Sequence, residues 1–121
     1  MGALAAGAIV VVQFPYSDLS GSKMRPAVVL AQASPSDWIL CQITSNPYAD
    51  PRAVELRQDD FAEGSLKIVS FARPGKLFTA HAILVRQEIG RLKNPVFEEI
   101  LKKVVMTLRL SLIHISMTGH T

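Results

Sequence analysis

Two polar steps interrupt otherwise apolar segments of this chain, and both carry groups that can act on a phosphate. The first is Arg25, which directly precedes Pro26. A residue before proline is held extended, so its guanidinium is expected to leave the strand in a fixed direction. The second is Thr44-Ser45, two hydroxyls at the end of an apolar segment. A planar cation beside a hydroxyl donor suits a phosphate whose negative charge grows in a transition state.

The segments that carry these groups predict how they meet. Residues 26–31 and 38–44 are rich in aliphatic side chains and are separated by the turn sequence at residues 34–37. A separation this short predicts an antiparallel hairpin, in which the start of the first strand lies beside the end of the second. Arg25 is therefore expected close to Thr44. Spacing alone favours the simpler explanation, an arginine at a strand start beside a threonine that ends its neighbour.

The rest of the chain predicts more strands and then one helix. The apolar run 8–12 is typical of a strand buried on both faces, and Phe14-Pro15-Tyr16 is expected to end it. A polar loop is predicted at 17–24 with Gly21 at its tip. Further predictions are strands at 53–57, 66–71 and 83–85, a turn at 74–75 and a connector at 90–92.

Asn94-Pro95 marks the start of a helix, with Asn as the N-cap and Pro at the first helical position. Apolar residues then recur at i+3 and i+4 spacing until about residue 115. Short strands with turns between them predict a mainly β barrel or sandwich closed by this helix. We predict a single domain over residues 1–115, with the helix at 94–115 and an irregular tail at 116–121.

Composition and charge limit the classes of function. Of 121 residues, 49% are hydrophobic and 19% charged, as in a globular protein. Residues 1–60 hold four Lys and Arg against six Asp and Glu, and residues 61–121 hold nine against four. The second half can therefore present a basic surface to a polyanion, although some of these cations also fit the solvated face of the helix. The apolar run 3–12 is too short to span a bilayer, so we expect a cytoplasmic protein that does not bind membranes.

The sequence predicts neither a metal site nor a cofactor. His81, His114 and His120 are far apart, and none has a second ligand at metal-binding spacing. Cys41 is the only cysteine, so it cannot form an intrachain disulfide. Its apolar neighbours predict a small buried side chain and not a nucleophile.

Residues 7–30, from the first strand through the loop to Arg25-Pro26 and the next strand, resemble the opening of MazF/PemK-type toxins. These are the ribonuclease components of bacterial toxin–antitoxin pairs. The resemblance continues through residues 43–45, 70–79 and 89–92 and the closing helix. It implies an SH3-like barrel, also shared with CcdB, and a homodimer formed through apolar strand and helix surface. It further implies an antitoxin partner and metal-independent cleavage of single-stranded mRNA that leaves 2′,3′-cyclic phosphate and 5′-hydroxyl ends.

Carried over by position, Arg25 would act as an acid/base or as a phosphate clamp, and Thr44 would hydrogen-bond the phosphoryl oxygens. Arginine stays protonated at neutral pH, which favours the clamp. The loop before Arg25 has no histidine and residues 70–72 have no carboxylate, groups that some members carry, so the general base and acid stay open. Phe14, Tyr16 and Phe78 are candidates for base stacking. The remaining expected RNA contacts are Tyr16, Ser17, Ser22, Lys23, Ser45, Ser70, Arg73 and Lys76.

Two alternatives remain on the same barrel. One is a toxin that acts by protein contact, as CcdB-type gyrase poisons do. The other is a catalytically degenerate relative that is retained for antitoxin binding or autoregulation. An antitoxin partner is expected to supply an acidic, partly disordered segment that folds into the groove and blocks it.

Overall fold

Seven strands and one long helix make up the computed structural model, which describes residues 4–18 and 21–118. Side chains are described at 4–13 and 23–110, so those of Phe14, Tyr16, Ser17 and Ser22 lie outside the described part. The elements are β1 Ala8–Asp18, β2 Gly21–Ser34, β3 Asp37–Thr44, β4 Val54–Leu56, β5 Phe61–Gly64, β6 Ser70–His81, β7 Val85–Leu92 and α1 Asn94–Thr118. Short 3₁₀ turns precede β5 at Gln58–Asp60 and β7 at Ala82–Leu84.

All seven strands form one antiparallel sheet in the order β4-β6-β3-β2-β1-β7-β5, curled into a half-barrel. The predicted hairpin is confirmed, since Ala27 pairs with Gln42 and Val29 with Leu40 across β2 and β3. A mainly β architecture with one C-terminal helix confirms the predicted fold class.

The central strands are buried on both faces, as predicted for residues 8–12. Alternate side chains of β1 enter two different apolar clusters, because successive residues of a strand point to opposite faces. Ile9 joins the cluster covered by α1. Ala8, Val10 and Val12 join the cluster on the other face of the sheet. Burial on both faces makes these strands the rigid part of the fold.

The first two strands are longer than predicted. β1 continues through Pro15 to Asp18 and β2 begins at Gly21, so most of the predicted polar loop forms the end of a long hairpin. Two features let proline remain in the strand. Pairing between β1 and β7 reaches only Val12, and the β1–β2 register shifts between Phe14 and Asp18. Proline is tolerated where the ladder is one-sided or irregular.

The predicted turn at Pro74-Gly75 is wrong, because β6 passes through it. Cys41 pairs with Leu77 and Ile43 with Ala72, so β6 has three more residues than β3 between these pairs. Proline needs no ladder bond in such a bulge.

Three smaller predictions also differ from the structure. Residues 66–69 precede β6 as irregular backbone, residues 83–84 lie in a 3₁₀ turn, and residues 90–92 belong to β7. Short apolar runs do not distinguish these conformations, which tertiary pairing decides.

The closing helix is present, beginning at Asn94. The N–H of Phe97 donates to the carbonyl of Lys93 at 3.2 Å, so the cap position falls one residue before the predicted Asn94. The helix continues to Thr118, three residues past the predicted end at about 115. An apolar pattern predicts which face is buried more reliably than where helical hydrogen bonding ends.

Of the predicted stripe, Ile100 and Val104 are buried, whereas Val105 and Leu108 are exposed. Val96, which the pattern did not single out, is buried beside them. Within the described residues, no helix is long and apolar enough to cross a membrane.

Candidate functional site

The two ends of the β2–β3 pair are the hairpin end, at the turn beside Ser34 and Asp37, and the open end, at Arg25 and Thr44. The open end forms one wall of a cavity of about 350 Å³. Continuing the register past Ala27 and Gln42 by two residues places Arg25 opposite Thr44. Both residues line the cavity, so the structure brings together the two predicted catalytic residues. The described lining consists of Met24, Arg25, Pro26, Ile43, Thr44, Ser45, Tyr48, Leu66, Lys67, Ile68 and Ser70.

The charged side chains of this described lining are all positive. Arg25 and Lys67 supply two cations, and the described lining contains no Asp or Glu. Hydroxyl groups come from Thr44, Ser45 and Ser70. Fixed cations with hydroxyl donors in a concave site attract and orient an anion such as a phosphate.

The hydroxyl of Thr44 already has one partner. Its Oγ1 accepts a hydrogen bond from the backbone N–H of Asn46 at 3.1 Å. A hydroxyl has one hydrogen to donate and two lone pairs to accept with. The bond from Asn46 uses a lone pair and leaves the hydrogen able to reach a phosphoryl oxygen. The geometry therefore fits a donor role for Thr44.

Ser70 is placed differently from the other hydroxyls. Its Oγ donates to the carbonyl of Ile68 at 3.0 Å, and the residue is only 5% exposed. This bond ties β6 to the irregular segment that carries Lys67 and Ile68, both exposed on the cavity. The hydroxyl hydrogen of Ser70 is therefore used within the protein, where it helps to hold the Lys67 segment.

The loop between β3 and β4 is built around Asp50. Its Oδ1 accepts from the backbone N–H of Arg52 at 3.0 Å, and its Oδ2 accepts from Nε of Arg73 at 3.3 Å. Its own backbone N–H donates to the carbonyl of Pro47 at 2.9 Å, and its carbonyl accepts from Ala53 at 3.1 Å. One carboxylate thus holds a loop and joins it to β6.

Tyr48 and Ala49 adopt left-handed backbone conformations in this loop, with φ of 54° and 57°. Such angles are uncommon for residues other than glycine and carry strain. The side-chain oxygen of Asn46 accepts from the N–H of Tyr48 at 2.9 Å, which supports the turn. Tyr48 is 63% exposed and lines the cavity.

Of the other predicted RNA contacts with described side chains, some line the cavity and others lie outside it. Ser45 is exposed on the cavity. Arg73 lies against Asp50, with its guanidinium carbon 5.4 Å from the centre of the Tyr48 ring, and outside the cavity lining. Lys23 and Lys76 are exposed outside that lining. The side chains of Tyr16, Ser17 and Ser22 fall outside the described residues.

Among the charged and aromatic residues of the described lining, sequence reasoning missed Lys67 and Tyr48. Lys67 was predicted to lie in a strand. The alternation of polar and apolar residues along a strand gives no reason to single out one lysine. Tyr48 stands in a loop between Asn46-Pro47 and Asp50-Pro51. An aromatic residue inside a turn-rich loop was the available signal, because such a ring has no obvious core to enter.

Cys41 is buried, as predicted, and its Sγ donates to the carbonyl of Arg73 at 3.2 Å. Burial raises the pKa of the thiol to about 12, an effect that the bond to Arg73 partly opposes. A neutral buried thiol is a poor nucleophile. Nδ1 of His81 accepts from the N–H of Ile83 at 3.0 Å and caps a 3₁₀ turn. Over the described residues, no group of three His, Cys, Asp or Glu could hold a metal ion.

Several solved structures share the fold of this chain. The solved structures similar to the chain include an endoribonuclease in complex with its cognate antitoxin from Mycobacterial species. Its TM-score is 0.70 at 12% identity, over 89% of this chain and 97% of that one. A MazE-MazF crystal structure from Deinococcus radiodurans has a TM-score of 0.68 at 21% identity, over 86% and 94%. The Mycobacterium tuberculosis toxin MazF-mt6 has a TM-score of 0.66 at 16% identity, over 84% and 96%.

At these identities the likeness to solved structures shows the fold alone. No curated protein sequence matches the chain. The family model of the PemK-like, MazF-like toxin of type II toxin-antitoxin systems matches residues 5–108, which covers the whole sheet and the first part of α1. The chain therefore belongs to the PemK-like, MazF-like family of type II toxins.

Proposed function

We propose that this toxin is a metal-independent endoribonuclease that cleaves single-stranded mRNA in the cytoplasm. The observation that carries the proposal is the cavity in which Arg25 and Thr44 lie on neighbouring strands, with a described lining that holds two cations and no carboxylate. Family membership supports the same activity, and a structurally similar mycobacterial protein is itself an endoribonuclease.

The proposed reaction uses the RNA's own nucleophile. A 2′-oxygen attacks the adjacent phosphorus, the bond from phosphorus to the 5′-oxygen breaks, and the products are a 2′,3′-cyclic phosphate and a 5′-hydroxyl. The 2′-oxygen loses one proton and the 5′-oxygen gains one, so no co-reactant is consumed. Negative charge grows on the phosphoryl oxygens during this step, and that charge is what the cavity can stabilise.

In this scheme Arg25 clamps the phosphate through its planar guanidinium, and Thr44 donates its hydroxyl hydrogen to a phosphoryl oxygen. A guanidinium is a hydrogen-bond donor with no lone pair to accept a proton, so we assign Arg25 electrostatic stabilisation and not proton transfer. Lys67 adds a second positive charge to the same cavity. Ser45 is proposed to contact the RNA beside Thr44.

The proposal is tested by incubating the purified protein with mixed-sequence single-stranded RNA in EDTA and mapping the cut ends. We expect discrete cuts with cyclic-phosphate and 5′-hydroxyl termini. RNA with a 2′-deoxyribose at a mapped cut site should stay intact at that position, because the nucleophile is missing. Uncut RNA across a range of sequences would contradict the proposal. Topoisomerase inhibition in the absence of RNA cleavage would favour the CcdB-like alternative.

We also propose that an antitoxin with an acidic segment occupies the cavity. The charge of the described lining supports this, as do structures of similar toxins solved with their antitoxins. An antitoxin bound there should compete with RNA, so cleavage should fall in proportion to antitoxin added. Simultaneous binding of antitoxin and RNA would contradict a shared site.

Finally, we propose a homodimer formed through apolar surface that includes α1. Val105 is 49% exposed and Leu108 is 61% exposed, although both continue the apolar stripe of the helix. Size-exclusion chromatography with light scattering should give a dimer at micromolar concentration, and Leu108→Glu should shift it towards monomer. A monomeric wild-type protein at that concentration would contradict the proposal.

A further inference from the structure

The β3–β4 loop presents an aromatic ring to the cavity, and it does so at a structural cost. Tyr48 is 63% exposed, which forgoes the favourable burial that a ring of this size can gain. Both Tyr48 and the following Ala49 have positive φ, a backbone conformation that residues other than glycine rarely adopt. Strain of this kind persists only where surrounding interactions enforce it, and it is concentrated at ligand-binding sites.

The surrounding interactions are present and specific. Asp50 accepts from Arg52 within the loop and from Nε of Arg73 across to β6. The side chains of Asp50 and Arg73 are only 15% and 19% exposed, so solvent screens this ion pair little. The guanidinium of Arg73 in turn lies over the ring of Tyr48, 5.4 Å from its centre. These contacts restrain the loop and place the guanidinium of Arg73 against the ring of Tyr48.

The backbone that carries the ring is also connected by hydrogen bonds to Thr44, the proposed phosphate donor. Oγ1 of Thr44 accepts from the N–H of Asn46, and Oδ1 of Asn46 accepts from the N–H of Tyr48. Two successive hydrogen bonds thus connect the hydroxyl of Thr44 to the backbone that carries the ring. Both residues line the same cavity as Arg25.

From this arrangement we infer that Tyr48 is a stacking platform for one unpaired base next to the phosphate held by Arg25 and Thr44. Arg73 covers one face of the ring, and the exposed ring can take a base on the opposite face. Every nucleobase has a π-face, so stacking here positions the RNA without selecting its sequence. A ring that is fixed in advance loses little conformational entropy when the base binds. The inference rests on the proposed function, because it specifies how the same cavity holds its RNA.

The test measures binding to an RNA that carries one 2′-deoxyribose at the mapped cut site, so that cleavage does not interfere. Tyr48→Ala should weaken binding about 5- to 150-fold, the usual range for the loss of one stacked base. Tyr48→Phe keeps the ring and should bind as the wild type does. Ile83→Ala is the matched control, because Ile83 is 74% exposed outside the cavity lining and should leave binding unchanged.

The stacked base is identified by replacing the nucleotides that flank the cut site, one at a time, with abasic nucleotides. At the stacked position the wild-type protein should lose as much affinity as Tyr48→Ala loses on intact RNA. Combining the abasic nucleotide with Tyr48→Ala should then cause no further loss, since both changes remove the same contact.

Two outcomes would overturn the inference and are distinguishable. If the wild type cleaves RNA but Tyr48→Ala binds it equally well, or if every abasic position adds fully to the loss in Tyr48→Ala, the stacking role is wrong and the proposed nuclease stands. If the wild-type protein neither binds nor cleaves RNA, the proposed function fails and the stacking role with it.

Discussion

The two ends of the β2–β3 pair are built from the same two strands and are held in opposite ways. At the hairpin end, Oγ of Ser34 donates to Oδ2 of Asp37 at 3.1 Å, and Nε2 of Gln32 donates to the carbonyl of Pro35 at 3.2 Å. Each of these bonds spans three residues. At the open end, the bond from Arg73 to Asp50 spans 23 residues, and the bond from Cys41 to Arg73 spans 32.

The difference shows which end of the strand pair has polar groups that can contact a ligand. A tight turn satisfies its own polar groups, so it has none to spare for a ligand and needs nothing from the rest of the chain. The open end gathers polar groups from β2, from β3 and its following loop, and from the segment before β6. Among them, Asn46 holds the hydroxyl of Thr44 through a hydrogen bond that leaves the hydroxyl hydrogen able to donate to a ligand in the cavity. Matched changes at the two ends should therefore differ in their effects.

The largest effect is expected for Arg25→Ala. In the proposed reaction the guanidinium is the main stabilisation of phosphoryl charge, so its loss should reduce cleavage about 100- to 1000-fold. Gln32→Ala lies on the same strand at the hairpin end and should cleave as the wild type does. Single-turnover cleavage with circular dichroism as a check on folding measures both variants. Equal losses in the two variants would remove the functional distinction between the ends.

A smaller loss is expected for Thr44→Val, which keeps the shape of the side chain and removes the hydroxyl. Cleavage should fall about 10- to 100-fold, as for one hydrogen bond to a charged group. Thr44→Ser should recover most of the rate, because it restores the donor. Thr79→Val, an exposed threonine on β6 opposite Ile39 towards the hairpin end, serves as the control. Unchanged cleavage in Thr44→Val would show that the hydroxyl makes no catalytic contact.

The two ends should also differ in how much their carboxylates contribute to the stability of the protein. Asp50→Ala leaves Arg73 without its carboxylate and removes a loop hydrogen bond, so the free energy of unfolding should fall by about 2 kcal/mol. Asp37→Ala removes one short-range bond at the hairpin end and should cost less than about 1 kcal/mol. Urea denaturation followed by Trp38 fluorescence gives both values. A larger loss for Asp37→Ala would reverse the proposed order.

The smallest effect concerns Cys41, the β3 residue whose thiol donates to the carbonyl of Arg73 at the open end. Burial raises its pKa from 9.0 to about 12, so alkylation by iodoacetamide at pH 8 should be negligible in the folded protein and rapid in urea. The thiol ionises at lower pH in the unfolded chain than in the folded one. Its contribution to stability is therefore complete below pH 9 and is lost as the pH rises towards 12. Fast labelling of the folded protein would contradict the burial of this side chain.

Much of the fold could be predicted because the chain is locally consistent. The apolar runs of β1, β2 and β3 and the turn at residues 34–37 all favour the same hairpin, and the i+3 and i+4 pattern marks α1. The errors fall where a partner strand overrides a local signal. Pro15 and Pro74 were taken as breaks, and each lies in a strand beside a register shift.

The candidate site divides in the same way. Arg25 and Thr44 could be named in advance, because their order along a predicted hairpin brings them together. Lys67 and Tyr48 could not, because their loops enter the cavity through contacts that no short window contains. Arg73 was expected to contact RNA, but its placement depends on Asp50, 23 residues away.

By itself, the sequence determined the strand-rich class, the closing helix and the position of Arg25 beside the hydroxyl of Thr44. These features follow from residue type, periodicity and short separation, which are local properties of the chain. Only the tertiary structure decided that the described lining of the cavity carries no carboxylate and that an exposed ring stands beside the Arg25–Thr44 pair. Both depend on long-range hydrogen bonds and strand register, whose energies are settled only when the whole sheet has formed.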